Sequence, residues 1–187
     1  MTYSQQLAEH VALFKEMDGL DLPFRQVASQ MVGCLKNAGG ALFLCGNGGS
    51  AAAAQHLAAE LTGRFVHDRP PLAAIALTTD TSALTAIAND YGYDQVFARQ
   101  LRALGTEADL LVVLSTSGNS PNIVEAAKAA LDIGMPVVGL LGRDGGEVRQ
   151  FCRAAVCVPS NVTARIQEAH EFIGHALCAH IEAALGL

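Results

Sequence analysis

Charge is scarce in this sequence: 16% of its 187 residues are Asp, Glu, Lys or Arg, while 51% are hydrophobic. Positive charge is the scarcer sign, with 12 Lys and Arg against 18 Asp and Glu and a formal net charge of −6. That balance argues against a broad surface that clamps nucleic-acid backbone, although a small anion could still bind locally at a loop. No apolar run reaches the ~18–20 residues that a bilayer span needs, so no membrane segment is expected. The stretch Met1 to Glu16 has no basic region followed by an apolar core, so no signal peptide is expected and a cytoplasmic location is. Five cysteines (Cys34, Cys45, Cys152, Cys157, Cys178) contain no C-x-x-C pair, and their odd number fits free, buried thiols in a reducing compartment. Long linkers, internal repeats and low-complexity stretches are absent too. The expectation is one domain over residues 1–187, with excess apolar surface covered at subunit contacts.

What is present is a repeating alternation. Short apolar runs stand at Ala41–Cys45, Ala73–Leu77, Leu110–Leu114, Val137–Leu141 and Ala154–Val158. Each is apolar throughout rather than alternating, as a strand covered on both faces should be. Helical patterns lie between them, around 50–62, 81–104, 120–133 and 144–150, and a last helix runs from about Val162 to Leu185. This implies an α/β fold, a doubly wound sheet of about five parallel strands flanked by helices. Two further helices, 4–17 and 22–38, precede the first strand; Phe24, Val27, Met31 and Leu35 mark one buried face of the second. This N-terminal pair could cover the core or join an oligomer bundle.

Ligands of such sheets gather at the carboxyl ends of strands, near the point where strand order reverses. The first loop there reads Cys45-Gly46-Asn47-Gly48-Gly49-Ser50. Its glycines allow close approach of a ligand to the main chain, and Ser50 is placed to cap the helix that follows, whose amides and dipole favour an anion. It is neither a G-x-x-x-x-G-K-[ST] loop nor G-x-G-x-x-G, and a plain strand-to-helix turn is the alternative. The third loop, Ser115-Thr116-Ser117-Gly118-Asn119-Ser120, is richer in hydroxyls and runs into a helix opened by Ser120-Pro121. Hydroxyls and helix amides together can surround a phosphate without lysine. After the second strand come Thr78 to Ser82, with Asn89-Asp90 further on.

His56 and Glu60 stand at i and i+4, on one helix face. The last helix carries Gln167, His170 and His175 on an otherwise apolar segment. Histidine, glutamate and amide donors suit Zn²⁺ and other divalent ions. Gln167 and His175 are separated by ~12 Å along a straight helix, so spacing alone leaves the ligand set open.

Taken together, CGNGGSAAAAQHLAAELTGRF (45–65), LTTDTSALTAIANDYGYDQVFARQ (77–100), STSGNS (115–120) and TARIQEAHEFIGHALC (163–178) resemble the phosphoheptose isomerases (sedoheptulose 7-phosphate isomerases) of the sugar isomerase domain superfamily. The resemblance spans nearly the whole chain. It implies a homotetramer with active sites at subunit interfaces and the N-terminal helices in a central bundle. It also implies one Zn²⁺ per subunit on His56, Glu60, Gln167 and His175. Substrate contacts carried over by position are Asn47, Gly48, Gly49, Asn89, Asp90, Ser115, Thr116, Ser117, Ser120 and Gln167; Ser50 and Glu60 join them as neighbours of the same site. Glu60 and His175 are the implied proton-transfer pair. One departure is Ala53, where relatives commonly carry aspartate.

The reaction so implied turns the ketose sedoheptulose 7-phosphate into the aldose D-glycero-D-manno-heptose 7-phosphate, the opening step of nucleotide-activated heptose synthesis. Neither nucleic acid nor membrane is an expected partner. A rival reading is a non-catalytic adaptor of the same superfamily that binds the replication initiator protein. Such adaptors share the glycine loop but lack a carboxylate at position 60 and a histidine at position 175, both of which this chain has.

Overall fold

Strands that are apolar on both sides need cover on both sides, and the chain supplies it with helices drawn from its two ends and its middle. A computed structural model describes residues 2–37 and 39–187; Met1 and Ala38, the last residue of the second expected helix, lie outside the described residues. The strands are β1 (Leu42–Gly46), β2 (Ala74–Ala76), β3 (Leu110–Ser115), β4 (Val137–Gly142) and β5 (Ala154–Val158), all parallel in the order β2-β1-β3-β4-β5. The helices are α1 (Tyr3–Glu16), α2 (Asp21–Lys36), α3 (Gly49–Thr62), α4 (Thr81–Tyr91), α5 (Ala98–Leu104), α6 (Pro121–Asp132) and α7 (Thr163–Leu185).

Alternate residues of β3 divide the interior. Leu110, Val112 and Leu114 face a core shared with α2, α3 and α7, whereas Leu111 and Val113 face a second core built with α5 and α6. Strand order reverses between β1 and β3. The crevice at their carboxyl ends is therefore where this topology gathers ligands.

Three details differ from the sequence reading. Residues 81–104 form two helices, not one, because Gly92 (φ +90°) ends α4 and a short 3-10 turn (Tyr93–Gln95) reorients the chain into α5. The segment 144–150 holds a 3-10 turn, Glu147–Phe151, rather than an α-helix; Gly145 and Gly146 at φ +92° and +56° precede it and cannot start an α-helix in that conformation. Helix α2 begins at Asp21, ahead of Pro23. The first four amides of a helix lack intrahelical acceptors, so a proline in the first turn forfeits nothing.

α1 opens with a capping box in which Gln5 N donates to Thr2 Oγ1 (3.3 Å) and Thr2 N donates to Gln5 Oε1 (2.7 Å). It is held to α7 through Arg165, which donates to the Gln6 carbonyl and to Glu168, and through a His10 Nδ1–Glu168 Oε2 contact of 2.8 Å. Its other face leaves Tyr3, Leu7 and Val11 exposed at helical spacing. The chain between α3 and β2 is pinned to α7 by a buried ion pair, Arg69 Nε to Glu182 Oε1 at 2.8 Å. Arg69 also donates to the carbonyls of Glu60, Leu61 and Pro70, and Glu182 accepts from the amides of Phe65 and Val66. Burial alone would raise the Glu182 carboxyl; Arg69 and the two amides outweigh it and hold the group below its ordinary value. Cys34, Cys45, Cys152, Cys157 and Cys178 are all free thiols. Among the described residues no helix is long and apolar enough to cross a membrane.

Candidate active site

At the β1–β3 switch point a cavity of about 280 Å³ opens between the glycine loop, the serine loop and the start of α7. Asn47, Gly48, Gly49, Ser50, Ser115, Thr116, Ser117, Ser120 and Gln167 line it, joined by Leu114 and Thr163. Gly48, not Ser50, occupies the N-cap of α3, at φ +53°, and Ser50 sits buried in the first turn. The left-handed backbone at Gly48 turns the chain sharply enough for the first amides of a fourteen-residue helix to face the cavity. Gly49 lies so close to α7 that a Cβ there would stand 2.4 Å from Gln167 Nε2. The Gln167 amide packs directly against the glycine loop.

The serine loop is built differently. Ser115 ends β3 and is buried; its hydroxyl accepts from Gly118 N at 3.0 Å, which folds the loop back on itself. Ser117 Oγ accepts from Asn119 N at 3.2 Å. Ser120 is the N-cap of α6, yet its side chain makes no capping bond, so its hydroxyl is available to a ligand. With Pro121 opening the helix, this is a second helix N-terminus pointed at the same cavity. The set contains hydroxyls, amides and two helix dipoles but no lysine or arginine, a suitable cradle for a small phosphate.

Asn122 and Tyr93, which the sequence reading missed, hold this cradle through Asn47. Asn47 and Asn122 exchange reciprocal side-chain hydrogen bonds, both 2.8 Å, and tie the glycine loop to the first turn of α6. Tyr93 Oη donates to Asn47 Oδ1 at 3.3 Å. Asn89 and Asp90 are not brought to the cavity. They lie at the exposed end of α4, bonded to each other through Asn89 Nδ2 and Asp90 Oδ1 at 2.7 Å.

A second cluster lies further along α3 and α7. His56 Nε2 and His175 Nε2 are 2.7 Å apart, and Phe65 stacks on the His175 ring at 5.4 Å. The Glu60 carboxylate is 3.7 Å from His56 Nε2. Glu171, one turn before His175 and not among the residues singled out from sequence, has a carboxylate oxygen that lies with His56 and His175 nitrogens in one group, all within 4.8 Å of one another. The helices approach this closely because Gly174 has no side chain: a Cβ there would stand 2.5 Å from Leu57 Cδ2. Two imidazole nitrogens and neighbouring carboxylates are a donor set that divalent first-row ions accept. Two nitrogens bonded to one tetrahedral ion at 2.0–2.1 Å stand about 3.3 Å apart, so the rings would need to part by well under an ångström. The residues fit a metal.

Between the two clusters lies His170. It is buried, and neither ring nitrogen has a hydrogen-bond partner. Burial pushes its pKa down to about 4, offset in part by the Leu141 backbone, which stops short of hydrogen-bonding geometry. A cavity of about 330 Å³ bounded by Gly49, Ser50, Ala53, Gln167, Glu168 and His170 adjoins it. The small Ala53 thus faces the same space as the unpaired ring.

Comparison with known proteins agrees with this geometry. Residues 3–142 match the SIS domain family. A phosphoheptose isomerase of Aliarcobacter butzleri is 52% identical over 94% of this chain and 93% of its own length. Among solved structures, phosphoheptose isomerase from Neisseria gonorrhoeae superposes with a TM-score of 0.90 at 49% identity, covering 96% of each chain. That from Francisella tularensis gives 0.92 at 40% identity, over 98% of this chain and all of the other.

Proposed function

The chain belongs to the phosphoheptose isomerase family of SIS-domain proteins, and from that premise we propose that it is an aldose–ketose isomerase acting on sedoheptulose 7-phosphate. The product is D-glycero-D-manno-heptose 7-phosphate, for nucleotide-activated heptose synthesis. The observation that carries this reading is the pairing of a phosphate-sized, hydroxyl-lined cavity with a histidine–carboxylate cluster on the same two helices. One end of the substrate is anchored while the other is offered to proton-transfer groups.

Isomerisation moves a proton from C1 to C2 of the open-chain sugar through a cis-enediol. The hydroxyls of Ser115, Thr116, Ser117 and Ser120, with the N-terminal amides of α3 and α6, hold the phosphate and so set the position of the carbons being transformed. Gln167, packed against Gly49, orients the sugar chain between them. Glu60 takes the C1 proton and returns it to C2, while His175 moves the hydroxyl proton from O1 to O2. His56, Glu60, Gln167 and His175 would hold the divalent ion, read here as one Zn²⁺ per subunit, with the Glu171 carboxylate close to the two rings; when bound, such an ion supplies polarisation of the carbonyl and stabilises enediolate charge. The hydrophobic stripe Tyr3, Leu7 and Val11 on α1 supports a homotetramer with its N-terminal helices bundled. In that assembly the exposed Asn89 and Asp90 suit contact with substrate at a subunit interface. A biosynthetic role fits a cytoplasmic enzyme.

The test is direct: sedoheptulose 7-phosphate incubated with purified protein, after chelator treatment and after zinc addition, with the aldose product read by NMR. Metal-dependent appearance of the aldose is expected. A zinc-loaded, folded protein that leaves the ketose unchanged would overturn the assignment.

A further inference from the structure

Hydroxyls and amides hold a phosphate well only when several are aimed at one point, since a hydrogen bond weakens steeply as its angle departs from linear. The bonds from Gly118 N to Ser115 Oγ and from Asn119 N to Ser117 Oγ fold the serine loop on itself. What backs it is the chain leaving β4, laid residue against residue: Gly142 at Thr116, Gly146 at Ser117, Gly145 at Gly118 and Glu147 at Asn119. A Cβ on Gly142 would stand 2.5 Å from the Thr116 carbonyl oxygen, one on Gly146 would overlap the Ser117 carbonyl, and one on Gly118 would overlap the Gly145 carbonyl. Two hydrogen bonds close the contact. Val148 N donates to the Gly118 carbonyl at 2.9 Å, and Glu147 N donates to Asn119 Oδ1 at 2.8 Å.

The backing turn has an unusual backbone. Arg143, Gly145 and Gly146 have φ of +59°, +92° and +56°, and Arg143 is the one non-glycine residue at positive φ among the described residues. Such angles persist where the surroundings demand them, and they cluster at functional sites. Arg143 N donates to the Val158 carbonyl at 3.0 Å, which ties the turn to the end of β5, and Gly146 N donates to Asp144 Oδ1 at 3.1 Å. Residues 143–148 do not line the phosphate cavity, and neither does Asn119, which lines a separate polar cleft with Arg143 and Asp144.

We infer that the segment 142–148 is the mould on which the phosphate loop is set, and that Asn119 is a positioning residue for the phosphate. Its Oδ1, held by the Glu147 amide, keeps the hydroxyls of Thr116, Ser117 and Ser120 at the cavity without itself touching the ligand. This rests on the reading of that cavity as a sugar-phosphate site. The consequence is a separation of effects. Affinity for the phosphate should depend on Asn119, whereas the proton-transfer groups stand on α3 and α7 and should not.

The experiment compares wild type with Asn119→Ala, Asn119→Asp and Glu147→Pro. Aspartate keeps an oxygen acceptor for the Glu147 amide, while proline removes that amide at the first residue of a 3-10 turn, where its fixed φ is tolerated. Circular dichroism establishes that each variant is folded. Steady-state isomerisation of sedoheptulose 7-phosphate gives KM and kcat, and calorimetry gives the affinity of the chelator-stripped proteins for the same sugar and for inorganic phosphate. Asn119→Ala and Glu147→Pro should each weaken binding and raise KM by about five- to tenfold, the worth of one lost hydrogen bond, with kcat within about twofold of wild type. Asn119→Asp should stay within about threefold of wild type, and the double variant Asn119→Ala/Glu147→Pro should be no weaker than the single changes, since both remove the same bond. Folded Asn119→Ala and Glu147→Pro proteins with wild-type KM and affinity would overturn the inference, as would a fall in kcat at unchanged KM. An Asn119→Asp protein as weak as Asn119→Ala would also overturn it, by making the Asn119 amide a direct donor to the ligand. A wild-type protein that binds phosphate but leaves sedoheptulose 7-phosphate unchanged would strike the proposed function, and the calorimetric affinities would still decide the role of Asn119.

Discussion

Replacing Gly174 with alanine adds one methyl group at the tightest point between α3 and α7. The new Cβ would meet Leu57 at 2.5 Å (Cδ2), 2.7 Å (Cδ1) and 3.1 Å (Cγ). The first two contacts could be relieved by a rotamer change at a flexible end, but Cγ is fixed more firmly, and Leu57 is itself 4% exposed in a packed core. Overpacking of this kind costs about 1–3 kcal/mol. At roughly 2–4 °C per kcal/mol for a chain of this size, the melting temperature should fall by several degrees. The neighbours of these two residues in sequence are His56 and His175, so spreading the helices also displaces the two rings that face each other at 2.7 Å. Leu57→Ala alone should cost about 2–5 kcal/mol by leaving a cavity. In the double variant the methyl group added at position 174 enters the space that Leu57 vacates, so the two losses should fall short of their sum by about 1–2 kcal/mol. Urea denaturation of all four proteins at one protein concentration, since oligomerisation adds to apparent stability, gives the coupling. Strict additivity, or a Gly174→Ala protein as stable as wild type, would refute the close-approach argument.

Four further outcomes follow from other parts of the molecule. Arg69→Met strands the Glu182 carboxylate in the interior and should cost about 3–5 kcal/mol in chemical denaturation, with Arg69→Met/Glu182→Leu milder than the single change. Because the folded state holds Glu182 below its ordinary value, its stabilisation is complete above the unfolded carboxyl pKa and fades as pH falls through the folded one; wild type and Glu182→Gln should therefore converge in stability on acidification below about pH 4.5. His170, with a folded pKa of about 4 against 6.5 when exposed, stays neutral inside while the unfolded chain takes up a proton, so acidification from pH 6.5 to 4 should remove about 3 kcal/mol of stability, and His170→Leu should flatten that part of the profile. Ser120→Ala should leave stability within about 0.5 kcal/mol, since the hydroxyl makes no cap, yet weaken sugar-phosphate binding by about tenfold through one lost charge-assisted hydrogen bond; equal binding by calorimetry would remove Ser120 from the phosphate cradle.

The fold was legible wherever local pattern and tertiary demand coincide. Runs such as Leu110–Leu114 are apolar at every position because both faces are covered, and a strand there needs no knowledge of its neighbours. The expected strands fall within one residue of the observed ones at every end, for all five strands. Helix limits were harder where a glycine's backbone angle decides the outcome. Gly92 breaks a continuous apolar periodicity that alone reads as one helix over 81–104, and the pair Gly145-Gly146 converts a helical pattern into a 3-10 turn. Nothing in the composition of those segments records the sign of φ. Pro23, by contrast, falls in the first turn of the expected helix and of the observed one, where a proline is harmless.

The cradle of the site was legible for the same reason as the strands: glycine-rich and serine-rich loops directly after β1 and β3 carry their chemistry in consecutive residues. The clamp across it was not. Asn47 is visible in the glycine loop, but its partner Asn122 is 75 residues away and looks like any polar residue at the start of an amphipathic helix. The histidine–carboxylate cluster illustrates the deeper limit. His56 and Glu60 announce themselves by their spacing, and so should Glu171 and His175, which stand at the same separation. Yet a glutamate in mid-helix reads first as solvated, and only the crossing of α7 over α3 brings it near His56. That crossing is set by Gly174, which carries no chemistry. Its lack of a side chain admits Leu57 and brings the His56–Glu60 pair of α3 against the Glu171–His175 pair of α7. Where ligands come from separate helices, the residue that decides which of them meet is the one at the point of closest approach, and it need bear no resemblance to a functional residue.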